Sequence, residues 1–225
     1  MTTSTRTRTA RVKRPATTAG GPDSANRILE AAESLLGERG YDGVSMRDVA
    51  ERAGCTKALV FYHFKSKEAL FQTVLDRYYA AHAAALASAF AEEGQLDYRE
   101  RIHRMIGAYL DFIYAHRLYP RLVMQEIARG STNLERIKGN FTQLFKTMAA
   151  ALDGAVPEHG PLSPKHFFLS FSGMVINYFT YQTVIDDIWG EDLMNPRARD
   201  ERRRHLLWVA NALIEKLERD GQASA

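Results

Sequence analysis

Residues 45–64 read SMRDVAERAGCTKALVFYHF. Met46, Val49, Ala50 and Ala53 recur at i, i+3, i+4 and i+7, which predicts a short helix with one apolar face. Ser45 stands at its N-cap position, and Asp48 three residues on makes a capping box with the acid shortened by one carbon. Gly54 interrupts the pattern, and Thr56 can cap a second short helix over about 57–63. Two short helices joined by a glycine-containing turn make a helix-turn-helix, in which the second helix lies in the major groove and the first braces it. That crossing needs Val49, Ala50 and Ala53 to be apolar and partly small. It also needs Gly54 to tolerate the turn. Val60 and Phe64 are expected to point inward, leaving Lys57, Ala58, Leu59, Phe61 and Tyr62 near the DNA. Taken alone, the pattern also fits a plain αα-hairpin.

Outward from this stretch the periodicity stays helical. Ile28, Leu29, Ala32, Leu35 and Leu36 mark one face of a helix that Asp23 or Ser24 can cap and that stops before Gly40. Ser66 can cap another beginning at Lys67, read as continuous over 67–92. Further helices are expected over 98–115, over 119–129 with Pro120 in the first turn and Gly130 at the end, and over 132–152. A Gly/Pro loop runs from Gly154 to Pro164. Phe167, Phe171, Met174, Tyr178, Tyr181 and Ile185 then step by 4, 3, 4, 3, 4, and Leu206, Ala210, Leu213 and Leu217 by 4, 3, 4. Such steps mark helices packed at a shallow angle in a bundle. No strand-like alternation persists anywhere.

Composition agrees with a folded chain. Of 225 residues 45% are apolar, enough for a substantial core. Cys55 is the sole cysteine, which excludes a disulfide framework and multi-cysteine metal sites. No run approaches the roughly 18 apolar residues of a membrane span, so a cytoplasmic protein without a membrane partner is expected. Charge is unevenly placed: residues 1–23 hold Arg6, Arg8, Arg11, Lys13 and Arg14 against Asp23 alone, while 24–70 balance seven basic with seven acidic groups. The expected division is a disordered basic arm over 1–23, a helix-turn-helix DNA-binding domain over 24–70 and a helical effector-binding and dimerisation domain over 71–225. The fold class is all-α.

The stretch from Arg27 to about Leu75 resembles the DNA-binding domain of the tetracycline-repressor (TetR/AcrR) family of bacterial transcriptional regulators. It does so through RILEAAESLLGERGYDGVS, MRDVAERAGCTKALVFYHF and SKEAL. The resemblance implies phosphate contacts from Ser45 and Arg47, a DNA-facing role for Thr56 and Lys57 at the start of the recognition helix and for Tyr62 and His63 at its end, and a backbone contact from Lys67; Lys57 or Tyr62 can also reach base edges. Helix N-termini also present free N–H groups to phosphate. Where the family usually has Gly, a small or hydroxyl residue, and Tyr, this chain has Ala58, Leu59 and Phe61; Phe61 therefore brings no hydroxyl, and Leu59 is either a thymine-methyl contact or core.

The chain is therefore expected to be a ligand-responsive, homodimeric repressor on a palindromic double-stranded DNA operator, paired through its last two helices and released by a small hydrophobic or aromatic effector. Tyr109, Phe112, Met124, Phe145, Phe171 and Tyr178 are the candidate pocket liners, since apolar walls favour such ligands. No cofactor, metal site or catalytic motif is expected. Cys55 reads as a small buried hydrophobe, and the other histidines lack ligand spacing. Asp186, Asp187, Glu191 and Asp192 are similar to the metal-binding DDxxD of all-α terpene synthases, but Gly190 occupies the final acidic position, so a solvated turn is expected. A constitutive DNA-binding dimer without effector and an all-α enzyme stand as alternatives.

Overall fold

A computed structural model describes residues 22–89, 96–130, 133–152 and 156–223. Their regular structure is helical throughout: α1 (Pro22–Arg39), α2 (Met46–Arg52), α3 (Lys57–His63), α4 (Lys67–Ala89), α5 (Tyr98–Ala115), α6 (Tyr119–Arg129), α7 (Leu134–Ala151), α8 (Pro164–Thr180), α9 (Gln182–Trp189) and α10 (Pro196–Ala223). The basic arm expected over 1–23 lies outside the described residues save for its last two positions, as does the expected continuation of α4 to residue 92.

The amino-terminal unit closes around α1. Ile28, Ala32, Leu35 and Leu36 are buried on one stripe, and they meet Val49 and Ala50 of α2, Val60 of α3, and Leu70, Phe71, Val74 and Leu75 of α4. Each such side chain contributes about 1.5–3 kcal/mol on leaving water, which is why helices of this size hold together. Arg52 adds a bidentate bridge from α2 to Glu38 of α1, with N–O distances of 2.8 and 2.9 Å. Ser34 donates to the same carboxylate.

α4 is continuous from the helix-turn-helix into the bundle, where it packs on α5. α5 in turn meets α7 and α10, α6 meets α1, α7 and α8, and α7 meets α8. Gly130 ends α6 in a left-handed conformation (φ 63°), as its position predicts. The core is one contiguous cluster running through both parts. No helix of the described residues is long and apolar enough to cross a membrane.

Two local readings of the sequence need correction. α1 begins at Pro22, so Ser24 sits inside the first turn rather than capping it, and it is buried. The stripe from Phe167 to Ile185 is two helices, because the chain bends at Tyr181. Beside the bend the Thr180 hydroxyl donates back to the Ile176 carbonyl at 2.9 Å, just as Thr142 and Thr147 donate back one turn within an unbroken α7. The end of the chain is therefore built from α8, its short extension α9, and α10, rather than from two helices. Leu169, Tyr181, Val184, Ile188, Trp189 and Trp208 on and between these elements are large apolar side chains left exposed.

The acidic group near residue 190 is a capped turn. Asp186 accepts from the Leu193 backbone N–H at 3.0 Å and from the Gln182 amide at 3.2 Å, and Asp192 accepts from the Met194 N–H at 2.8 Å. Among the described residues no cluster of three metal-ligating side chains occurs.

Candidate nucleic-acid interface

The helix-turn-helix is built from its caps outward. Ser45 Oγ accepts from the Asp48 N–H at 3.2 Å, while the Asp48 carboxylate accepts from the Ser45 N–H at 2.7 Å and from its hydroxyl at 2.5 Å. This is a complete capping box, and the hydrogen bonds to Ser45 hold the Asp48 carboxyl below the usual carboxylate range. Thr56 Oγ1 accepts from the Leu59 N–H at 3.2 Å, and Ser66 Oγ from the Ala69 N–H at 3.0 Å. Between α2 and α3, Gly54 adopts φ 65°, a left-handed conformation that suits glycine.

Cys55 follows, half-buried against the core, and its burial pushes the thiol above its ordinary value. A redox sensor needs the opposite shift. The reading of Cys55 as a packing residue is consistent with this geometry.

Burial on α3 separates its two faces. Val60 is fully buried and Phe64, at the C-cap, nearly so. Lys57, Ala58, Phe61 and Tyr62 are exposed; Tyr62 has 66% of its surface in water. Leu59 is intermediate and packs against the core, so of the two readings open to it, core packing has the contacts. Phe61 has a second use: the Lys57 ammonium lies 5.6 Å from its ring centre, within cation–π reach. The aromatic ring is kept at this position without its hydroxyl, and it steadies the charge one turn earlier.

The remaining expected contacts surround this face. Arg47 is exposed and pairs with Glu51 at 3.0 Å; a surface pair of this kind is worth under about 1 kcal/mol, so a phosphate can displace it. Lys67 opens α4 with its ammonium 4.1 Å from the Tyr41 ring centre. His63 is also held within the protein. Its Nε2 lies 2.8 Å from Ser24 Oγ, which ties the end of α3 to the start of α1 and occupies one of the two nitrogens that could serve a phosphate.

Tyr41 links this surface to the bundle. Its hydroxyl donates to Glu68 at 2.8 Å, its ring meets Phe71 edge-on at 5.0 Å, and the Arg129 guanidinium lies 4.1 Å from the same ring centre. Burial and the Glu68 carboxylate push the phenol up to about 12. Sequence reasoning missed Tyr41 and Arg129. The one signal for them was an aromatic residue directly after the glycine that ends α1.

The six candidate effector residues do not converge. Tyr109 and Phe171 line one small apolar cavity, and Phe145 packs beside it, 5.7 Å from Phe168. Phe112 is buried beneath His82. Tyr178 lies apart, donating to the Leu193 carbonyl at 3.1 Å. Met124 is 43% exposed on α6 and faces water rather than the interior.

Known proteins resemble both parts of the chain. Residues 28–74 match the family model of bacterial regulatory proteins, tetR family. Residues 99–209 match that of the tetracyclin repressor-like C-terminal domain. The HTH-type transcriptional regulator EthR of Mycobacterium tuberculosis is 26% identical over 192 residues, covering 85% of this chain and 88% of its own length. The probable HTH-type transcriptional regulator YttP of Bacillus subtilis is 25% identical over 166 residues, covering 72% and 80%. Among solved structures, the ketosteroid transcriptional regulator KstR2 of M. tuberculosis superposes with a TM-score of 0.67 at 17% identity, over 88% of this chain and 96% of that one; this likeness concerns the fold alone.

Proposed function

The chain belongs to the tetR family of bacterial regulatory proteins and is a DNA-binding transcriptional regulator, and from that premise we propose that it acts as a homodimeric repressor released from a palindromic operator by a small hydrophobic effector. The observation that carries the reading is the two-faced α3: Val60 is withdrawn into the core while Lys57, Ala58, Phe61 and Tyr62 stand in water. Ser45, Arg47, Thr56 and Lys67 flank that face as backbone contacts. Residues 24–70 form the DNA-binding part and 71–225 the effector-binding and dimerisation part, with α4 passing between them. The relatives named as transcriptional regulators favour regulation over catalysis.

One recognition helix reads only a few base pairs, so a second copy is needed for specificity, with half-sites about 34 Å apart or a multiple of it. The exposed apolar side chains on α8, α9 and α10 supply the surface for that pairing. An effector must bind the two states of the regulator unequally, and the loss of DNA affinity it causes is matched by an equal loss of effector affinity on DNA.

The test is selection of bound fragments from a genomic library, followed by titration of the recovered operator across salt concentrations. A dimer is expected to bind with a steep slope, and Lys67→Ala to reduce that slope by about one for each phosphate no longer neutralised. A monomer that ignores every fragment at low salt overturns the reading.

A further inference from the structure

His82 stands on the buried face of α4 between two rings. Its imidazole stacks on Phe112, with centroids 4.5 Å apart and planes 9° from parallel, and on Tyr109 at 5.2 Å and 26°. The residue is 2% exposed, and its Nε2 has no hydrogen-bond partner. Buried polar atoms in this condition are uncommon, and each one left unmet costs free energy. Burial lowers the imidazole to about 4, so it is neutral at pH 7 and offers one donor and one acceptor.

A cavity of about 250 Å³ lies beside it, between α4 and α7, with Leu86, Asn140, Gln143, Leu144 and Thr147 among its walls. A second, of about 40 Å³, is lined by Met105, Ile106, Tyr109, Leu144, Phe168 and Phe171. Ser172 also borders it, but its hydroxyl is spent on the Phe168 carbonyl at 2.6 Å. Leu144 belongs to both cavities, and the Tyr109 ring that stacks on His82 lines the second. The pair therefore has a polar end and an apolar end. Among the described residues no charged side chain lines either one. An anionic head group brought against the buried His82 would meet no counter-ion in these walls, which is unfavourable.

We propose that the two cavities form one ligand site and that its occupant is an uncharged, hydroxyl-bearing hydrophobe whose hydroxyl hydrogen-bonds His82 while its apolar body lies against Tyr109, Leu144 and Phe171. A hydroxyl fits either tautomer, because it can donate or accept. The space is at the lower limit of small-molecule sites, roughly 300–1,000 Å³, which suits a medium-length chain or a compact ring system. This assignment rests on the effector reading above, and it names the chemistry that reading leaves open.

The experiment uses the full chain with isotope-labelled histidine, titrated with 1-octanol and, separately, with octanoate. 1-Octanol is expected to shift the His82 ring resonances and to bind about tenfold more tightly than octanoate. His82→Phe, which keeps an aromatic ring in the stack, is expected to weaken 1-octanol about 5–10-fold. Leu144→Trp, which fills the shared wall, is expected to abolish binding of both. The assignment is overturned if 1-octanol leaves the His82 resonances of the unaltered protein unmoved, or if octanoate binds as tightly. Operator affinity is read in parallel. If 1-octanol moves His82 and DNA binding is unchanged, the site stands and the effector reading falls. If some other compound releases DNA while His82 is silent, the reading stands and this site falls.

Discussion

Arg129, the last residue of α6, pairs with the buried Glu126 at 2.9 Å and with Asp42 at 3.3 Å while its guanidinium covers the ring of Tyr41. Glu126 is 1% exposed and also accepts from the Asn133 amide at 2.6 Å. One cation thus joins the bundle to the loop that precedes the helix-turn-helix. Removing it takes a positive charge away from a buried carboxylate. Arg129→Ala is expected to lower the unfolding free energy by about 2–3 kcal/mol in urea titration. Adding Glu126→Gln should recover most of the loss, because the partner no longer carries a charge. If the double variant is no better than the single one, the pairing is not what stabilises this joint.

His63 and Ser24 make a second prediction. The family resemblance gives His63 a DNA-facing role, whereas its Nε2 is engaged by Ser24. His63→Gln and Ser24→Ala are each expected to cost about 1 kcal/mol of stability. Both should leave the salt dependence of operator binding where it was. A slope reduced by about one in His63→Gln alone would restore the phosphate contact.

Acid should loosen the contact between α1 and α2. The hydrogen bond to Arg52 is the main cause that takes Glu38 from 4.5 to about 2. A carboxylate depressed in the folded state contributes stability that is complete above about 4.5 and is lost as pH falls towards 2. The urea midpoint of the protein is expected to drop across that window. In Arg52→Gln the drop should be shallower, since the folded and unfolded values of Glu38 then lie closer together. Equal pH profiles for the two proteins would contradict this.

Gly54→Ala isolates backbone strain from packing. A Cβ at this position meets nothing within 4 Å, but φ is +65°. The substitution is expected to cost about 1–2 kcal/mol in urea unfolding, through conformation alone. Gly54→Asn should cost less, because Asn tolerates the left-handed region better.

Much of this architecture was legible in the sequence because local chemistry and burial agree there. Ser45, Asp48, Thr56 and Ser66 carry their caps within three residues, and Val60 and Phe64 fall on the stripe that their spacing dictates. Legibility fails where a long-range partner decides the matter. Ser24 reads as a cap until the helix is seen to begin at Pro22 and the Ser24 hydroxyl to meet the distant His63 ring. Periodicity carried one helix through Tyr181, since the apolar stripe continues across the bend. The effector residues were the weakest part: apolar side chains at helical spacing look the same whether they line a cavity, as Tyr109 does, or face water, as Met124 does. His82 had a signal, four residues after Tyr78 and four before Leu86 on one face, but its lack of a partner belongs to the folded chain.

Trp189 and Trp208, the chain's two tryptophans, both lie with most of their surface in water, on α9 and α10. Indole emission shifts to shorter wavelength when water is stripped from it. The molecule therefore carries an optical gauge of whatever covers α9 and α10 at one end and is dark at the other. A dilution series followed by emission colour alone would report whether that surface becomes covered as concentration rises, with no label and no signal from the nucleic-acid side.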